Sequence, residues 1–390
     1  MKKFTLAIQY PSFGPQHPPR LLAIARAAPQ PGARVAAMEM FKKDSDYEWA
    51  PVPVASELFE RFTVMDCESA VGRRQLFKLK KAVDNALNQI KPDVLVVNGW
   101  GHRESRISLS WARKNKCPTV LLSDSTYDDL PRSWLKERIK KWLIRGCASA
   151  FVAGTPQARY MEYLGIPKEK IFFPGSCVVD NDYWRRESSQ ARQNAEQSRR
   201  QNNLPEKYFL CVARFIEKKN IPFLVGSYRR YRERAGADYY RLVLCGSGPQ
   251  ETAVKDLIAG SGLKDIIMAG FRQADSLPAY YGLAKCFIMP SLYFEQWGLV
   301  VNEAMACGLP VLVSNKCGCS FDLVKNGVNG YSFDPADDRG LAELMLRLST
   351  DERKLAEMGG ESQRIIDGHS CEVAGRNLWK AVQAAISAPG

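Results

Sequence analysis

Short apolar runs alternate with longer, helix-patterned segments along most of this chain, and that rhythm constrains the fold more than any other feature. KFTLAIQY (3–10), RVAAMEM (34–40), PDVLVVNG (92–99), TVLLSDS (119–125) and ASAFVAGT (148–155) read as strands, and residues 15–28 read as the start of a helix. Apolar runs this continuous suit strands buried on both faces, which implies parallel sheets covered by crossover helices. The rhythm stops over 183–208, YWRRESSQARQNAEQSRRQNNLPEKY, which is polar and without apolar periodicity. That stretch reads as a connection between domains plus a solvated helix. The alternation resumes in YFLCVARF (208–215), RLVLCGSG (241–248), IIMAGF (266–271), CFIMPS (286–291) and PVLVSN (310–315). The expectation is two α/β domains, which suits 390 residues, and no short-period repeat is visible.

Composition narrows the partners. The net charge is +13, from 55 Lys and Arg against 42 Asp and Glu. Such a field favours anionic ligands without choosing among them. With 45% hydrophobic residues the chain is not dominated by disorder. The 11 cysteines are odd in number, scattered through apolar runs, and show no CxxC spacing. Free, buried thiols in a reducing cytoplasm are expected. The start, MKKFTLAIQYPSFGP, is basic then apolar, but polar residues and prolines interrupt it too soon for a signal peptide. No apolar run reaches the ~18 residues of a membrane span, so no transmembrane helix is expected.

In open parallel sheets, ligands bind beyond the C-terminal ends of the strands. The loops to inspect are therefore SFGPQH, NGWGH, RFIEKKN, GSGPQE and, above all, FEQWGLVVNEAMACG (294–308). This last stretch is mostly apolar, yet it holds Glu295 and Glu303 with seven residues between them. Glu295 falls in a loop with Gly298, and a helix is expected over 299–307, ended by Gly308 and Pro310. Apolar neighbours Val300, Val301, Ala304 and Met305 can pack while Glu303 points to the ligand side. The helix N-terminus offers free N–H groups and partial positive charge for a phosphate. Carboxylates accept hydrogen bonds from vicinal hydroxyls. Together they suit a ligand with hydroxyls at both ends and phosphate in the middle, as in a sugar nucleotide.

Glu-x-Trp-Gly-Leu-x-x-x-Glu followed by AMACGLPVLVS resembles the donor-site signature of retaining glycosyltransferases of the GT-B group, family 4. VARFIEKKN resembles that family's phosphate-binding strand and loop, and LVLCGSGPQE its glycine loop. The resemblance covers the second half well and the first half more in organisation than in residues. It implies two Rossmann-like domains facing a central cleft, at 1–184 and 185–370, with a last helix in 371–390 crossing back to the first. It further implies that Glu303 binds the ribose hydroxyls and Glu295 those of the donor sugar. Backbone groups around Trp297, Gly298 and Leu299 would contact sugar and phosphate, while Arg214 and Lys219 neutralise the leaving diphosphate. Gly246 and Gly248 would lie beneath the donor, and backbone near Phe271 and Arg272 would face the base. The family commonly has Phe where Trp297 stands and Gly where Asn220 stands; Asn tolerates a left-handed backbone. A front-face mechanism, with the leaving phosphate assisting the incoming hydroxyl, is implied, and no metal or other cofactor.

The first half offers fewer anchors. His102 follows a strand and Gly99, where family members carry a histidine beside the donor sugar; the alternative is an ordinary loop histidine. His17, in GPQH, and Gly14 lie near the family's glycine loop for acceptor and phosphate. His369 reads as structural. In SDSTYDD (123–129), Asp124 either orients an acceptor hydroxyl or His102, or caps the next helix. Asp180-Asn181-Asp182 matches the Asp-x-Asp pattern that binds metal in the other large glycosyltransferase fold, but a structural turn fits its place better. WLKERIKKWLIR (134–145) puts Leu135, Ile139, Trp142 and Leu143 on one face among lysines and arginines. Packing of that face into the core is expected; the second reading is contact with an anionic membrane, at the inner face. The function expected is transfer of a sugar from a nucleotide diphosphate to a hydroxyl of a glycan or lipid-linked acceptor. The alternatives are a sugar-nucleotide epimerase of related fold, and a non-enzymatic anion- or nucleic-acid-binding protein. Against nucleic acid as a partner, aromatic and basic residues do not interleave in any known module.

Overall fold

The computed structural model describes residues 3–29, 32–42, 56–66, 73–129, 132–293 and 295–387. The chain divides into two compact units: Met1–Val179 with His369–Gly390, and Asp180–Gly368. The first unit contains β1 (Thr5–Tyr10), α1 (His17–Arg26), β2 (Arg34–Phe41), β3 (Glu60–Met65), α2 (Arg73–Ile90), β4 (Val94–Asn98), α3 (Arg103–Lys114), β5 (Thr119–Ser123), α4 (Trp134–Ile144), β6 (Ser149–Val152), α5 (Thr155–Leu164) and β7 (Ile171–Phe172). The second contains α6 (Asn181–Gln193), α7 (Ala195–Asn202), β8 (Tyr208–Val212), α8 (Ile221–Arg234), β9 (Arg241–Cys245), α9 (Glu251–Gly260), β10 (Ile266–Gly270), α10 (Leu277–Leu283), β11 (Cys286–Met289), α11 (Leu299–Ala306), β12 (Val311–Ser314), α12 (Cys319–Leu323), β13 (Gly330–Phe333), α13 (Asp338–Ser349) and α14 (Glu352–Asp367). The last helix, α15 (Cys371–Ile386), belongs to the first unit.

Each apolar run expected to be a strand is one, and the strands pair in parallel. The first sheet has the order β3-β2-β1-β4-β5-β6-β7 and the second β10-β9-β8-β11-β12-β13. Alternate residues of the first sheet feed two layers. Leu6, Ile8, Val94, Val96 and Val120 pack under α1 and α15, where Trp379 donates from Nε1 to the Ile24 carbonyl at 2.7 Å. Ala7, Met38, Leu95 and Val97 pack under α2 and α3, and Leu121, Ala150 and Val152 under α4 and α5. In the second unit α8, α9, α13 and α14 cover one face through Tyr228, Val254, Met345 and Met358.

Two expectations are corrected. The polar stretch 183–208 is not merely a solvated connection. It forms most of α6 and all of α7, and the expected break at 184/185 falls inside α6. Trp184 is buried edge-on against Tyr281 at 5.5 Å, and α6 packs on α10 and α11. One large aromatic supplies the apolar area that the rest of the segment lacks. Asp180 caps α6, its Oδ1 accepting from the Tyr183 N–H at 2.9 Å, so the Asp-Asn-Asp run acts as a helix start. The second correction concerns α4: Leu135, Ile139 and Trp142 of its expected core stripe are turned outward, and of the four only Leu143 packs against the core.

Candidate functional site

Strand order reverses between β8 and β11 in the second unit, so the loops leaving those two strands diverge and open a crevice at their C-terminal ends. One wall is the loop after β8, carrying Arg214 and Lys219. The other is the loop after β11, carrying Glu295. Lys219 Nζ and Glu295 Oε2 stand 2.5 Å apart, with Lys218 Nζ at 3.6 Å from the same oxygen and Ser291 Oγ donating to it at 3.3 Å. Arg214 lies exposed on the same loop. Lys218 and Ser291 were missed in the sequence; the doubled lysine of EKKN carried a signal for the first.

The Glu295 loop is pinned rather than slack. Its Glu295 carbonyl accepts from the Gly318 N–H at 2.8 Å, and the Trp297 carbonyl from the Cys319 N–H at 3.3 Å. Trp297 is buried and donates from Nε1 to Asn302 Oδ1 at 2.9 Å. Gly298 starts α11 at φ 109°, where a Cβ would lie 2.8 Å from Met289 Sδ, so a left-handed glycine turns the chain into the helix. Leu299 follows, half-buried at the first helical position, where backbone N–H groups have no intrahelical acceptor.

Glu303, on α11, is only 6% exposed, and its Oε2 accepts from the Tyr281 hydroxyl at 2.8 Å. Burial and the Glu303 carboxylate push the Tyr281 phenol well above its ordinary range, which keeps it a donor. Tyr281, on α10, carried no signal in the sequence.

The glycine loop positions its neighbours. A Cβ on Gly246 would lie 1.8 Å from the Ala213 carbonyl oxygen, and one on Gly248 2.7 Å from that of Phe215. Only glycine lets this loop lie against the Arg214 segment, which it ties down through the Phe215 N–H to Ser247 carbonyl bond at 2.7 Å. Asn220 adopts φ 55°, as expected for a residue standing in for glycine, and its Nδ2 donates to the Pro335 carbonyl at 3.1 Å. Phe271 and Arg272 follow β10 on the same sheet edge. Arg272 Nε donates to the Tyr280 hydroxyl at 2.7 Å.

The first sheet reverses between β1 and β4. There the Gly14 N–H donates to His17 Nδ1 at 2.8 Å, closing the turn into α1. Burial, with the neighbouring Arg20 charge, pushes the His17 imidazole down to about 3, so it is neutral at physiological pH. His102 begins α3 exposed, with Nδ1 3.7 Å from Glu104. Asp124 accepts from Ser176 Oγ at 2.7 Å, and burial raises its carboxyl above the ordinary range. The next helix, α4, is preceded by Ser133, so Asp124 is not its cap.

Residues 193–364, which contain the second crevice, match the family model of glycosyl transferases group 1. An uncharacterised glycosyltransferase of Methanocaldococcus jannaschii is 33% identical over 147 residues, covering 37% of this chain and 36% of that one. A GDP-mannose-dependent alpha-(1-6)-phosphatidylinositol monomannoside mannosyltransferase of Mycobacterium tuberculosis is 27% identical over 216 residues, 54% of each chain. The chain thus spans about a third to a half of the curated relatives it matches. A crystal structure of Anabaena HepE in complex with UDP and glucose superposes with TM-score 0.69 at 18% identity, covering 98% of this chain and 99% of that one. The likeness is one of fold, and the fold is GT-B.

Proposed function

We propose that this chain is a retaining family 4 glycosyltransferase that moves a sugar from a nucleotide diphosphate to a hydroxyl of a glycan or lipid-linked acceptor. The observation that carries the reading is the Lys219–Glu295 pair at the β8/β11 reversal, with Glu303 eight positions beyond Glu295 at the far side of the α11 N-terminus. A diphosphate would draw Lys219 from Glu295. The lysine gains a partner of higher charge, and the carboxylate is released to accept hydrogen bonds from the sugar hydroxyls. Arg214, Lys219 and the α11 N-terminus then stabilise charge on the departing phosphate. The bond from the anomeric carbon to phosphate oxygen breaks while that carbon bonds to the acceptor oxygen on the same face. The acceptor proton passes to the leaving phosphate. Glu303 binds the ribose hydroxyls, its carboxylate positioned by Tyr281. His102 keeps the role implied by the family resemblance, and no metal or further cofactor is required for these steps.

Calorimetric titration with UDP-, GDP- and ADP-sugars beside the free nucleotides tests this. The named substrate of the mycobacterial relative and the ligands in the Anabaena structure put GDP-mannose and UDP-glucose first in the panel. One sugar nucleotide should bind, and Glu295→Gln should weaken it more than its free nucleotide. Absence of binding across the panel would sink the proposal.

A further inference from the structure

Helix α4 is amphipathic the wrong way round for a helix packed on a sheet. Its acid, Glu137, is buried with Ile144. Glu137 accepts from Lys140 Nζ at 2.8 Å, Arg132 Nη1 at 3.1 Å and the Tyr160 hydroxyl at 2.8 Å, so its charge is matched inside the unit. The opposite face carries Leu135, Ile139 and Trp142, spaced four and three apart, at 53%, 49% and 53% exposure. Trp134 at the helix start is 72% exposed. Single exposed apolar residues are ordinary, but four within nine positions, with the only acid of the helix turned inward, form a ridge.

Lys136, Arg138, Lys141 and Arg145 flank this ridge. Arg138 lies 5.8 Å from the Trp134 ring centre, and Arg145 5.7 Å from that of Trp142. Along the same side of the first sheet, Arg103, Arg106 and Lys114, together with an ion-paired Lys80 and Asp84, line a groove of about 660 Å³ between α2 and α3. Phe77 of α2 is also exposed. Tryptophans among cations with long apolar stems suit the boundary of a bilayer, where rings sit at headgroup depth and charges reach anionic headgroups. Among the described residues no helix is long and apolar enough to cross a membrane.

We propose that α4 docks the first unit onto an anionic lipid surface, its ridge of Trp134, Leu135, Ile139 and Trp142 entering the headgroup boundary and its flanking cations pairing with lipid phosphates. The occupant is assigned by charge: the outward face of α4 carries cations and no acid. This docking does not depend on sugar transfer by the second unit.

The test is co-sedimentation of the full chain with vesicles of phosphatidylcholine alone or mixed with phosphatidylglycerol, at low and high salt. Binding should require phosphatidylglycerol and weaken at least about tenfold at high salt. Trp134→Ser/Ile139→Ser/Trp142→Ser leaves the net charge unchanged and should weaken binding at least about tenfold. Lys136→Glu/Arg138→Glu should weaken it on anionic vesicles while an unchanged thermal midpoint shows the fold intact. Equal binding to both vesicle types overturns the proposal. So does wild-type affinity in the triple serine variant, which would leave only a diffuse effect of net charge. If light scattering shows that variant going from dimer to monomer while vesicle binding persists, the ridge belongs to a second copy and the proposal fails.

Discussion

The two strand-order reversals share a topology and differ in how their polar groups are satisfied. Between β1 and β4, Gly14 and His17 bond to each other and the imidazole is held neutral. Between β8 and β11, full charges face one another across the crevice, with Lys218 and Lys219 on Glu295. A neutral, internally bonded turn has little to exchange with a ligand. A charge pair at a crevice mouth can trade its partner for a phosphate. Under the proposed function, the difference would place the ionic part of donor binding in the second unit.

Arg214→Ala with Lys219→Ala should lower transfer by about 100- to 1000-fold, from lost stabilisation of leaving-group charge. Steady-state kinetics with donor and acceptor checks this, and a fully active double variant would break the comparison at its root. The glycines sharpen it structurally. Gly246→Ala pushes a methyl against the Ala213 carbonyl and should cost about 2–4 kcal/mol by denaturant unfolding. At Gly14 a Cβ meets His17 Nδ1 at 3.8 Å, ordinary contact, so Gly14→Ala should stay within about 0.5 kcal/mol. Glu303→Gln should weaken nucleotide binding about tenfold while keeping an acceptor for Tyr281; unchanged affinity would remove its ribose role.

Protonation distinguishes the units more gently. The folded His17 pKa lies below its ordinary 6.5, so the unfolded chain binds more protons between that value and about 3. His17 therefore contributes stability above pH 6.5 that drains away as pH falls toward 3. A His17→Gln variant should show a shallower acid loss in chemical unfolding across that window, and a parallel curve would refute the neutral assignment. The smallest effect belongs to His102→Ala, which removes an exposed ring and should change stability by less than about 0.5 kcal/mol.

Much of this was legible in the chain. The doubly apolar strands were, because a parallel strand buried on both faces cannot hide its composition. What escaped were strands without that signature. β3 lies at the edge with ERFTVM partly solvated, β7 spans two residues, and β13 is the short edge run GYSF. Trp184 escaped because one aromatic in a polar helix makes no period, and α4 because a helical pattern shows a stripe without showing which way it faces.

By itself the sequence determined two parallel α/β halves, the loops that carry chemistry, and the spacing of Glu295 and Glu303 across a helix start. These are local matters, set by side-chain periodicity and by the glycines that permit each turn. Only tertiary structure decided that Lys219 meets Glu295, 76 positions later, that Tyr281 holds Glu303, and that Glu137 rather than Trp142 faces inward. Strand order brings β8 beside β11, and packing chooses the buried face of each helix, and both depend on neighbours that a local pattern does not contain.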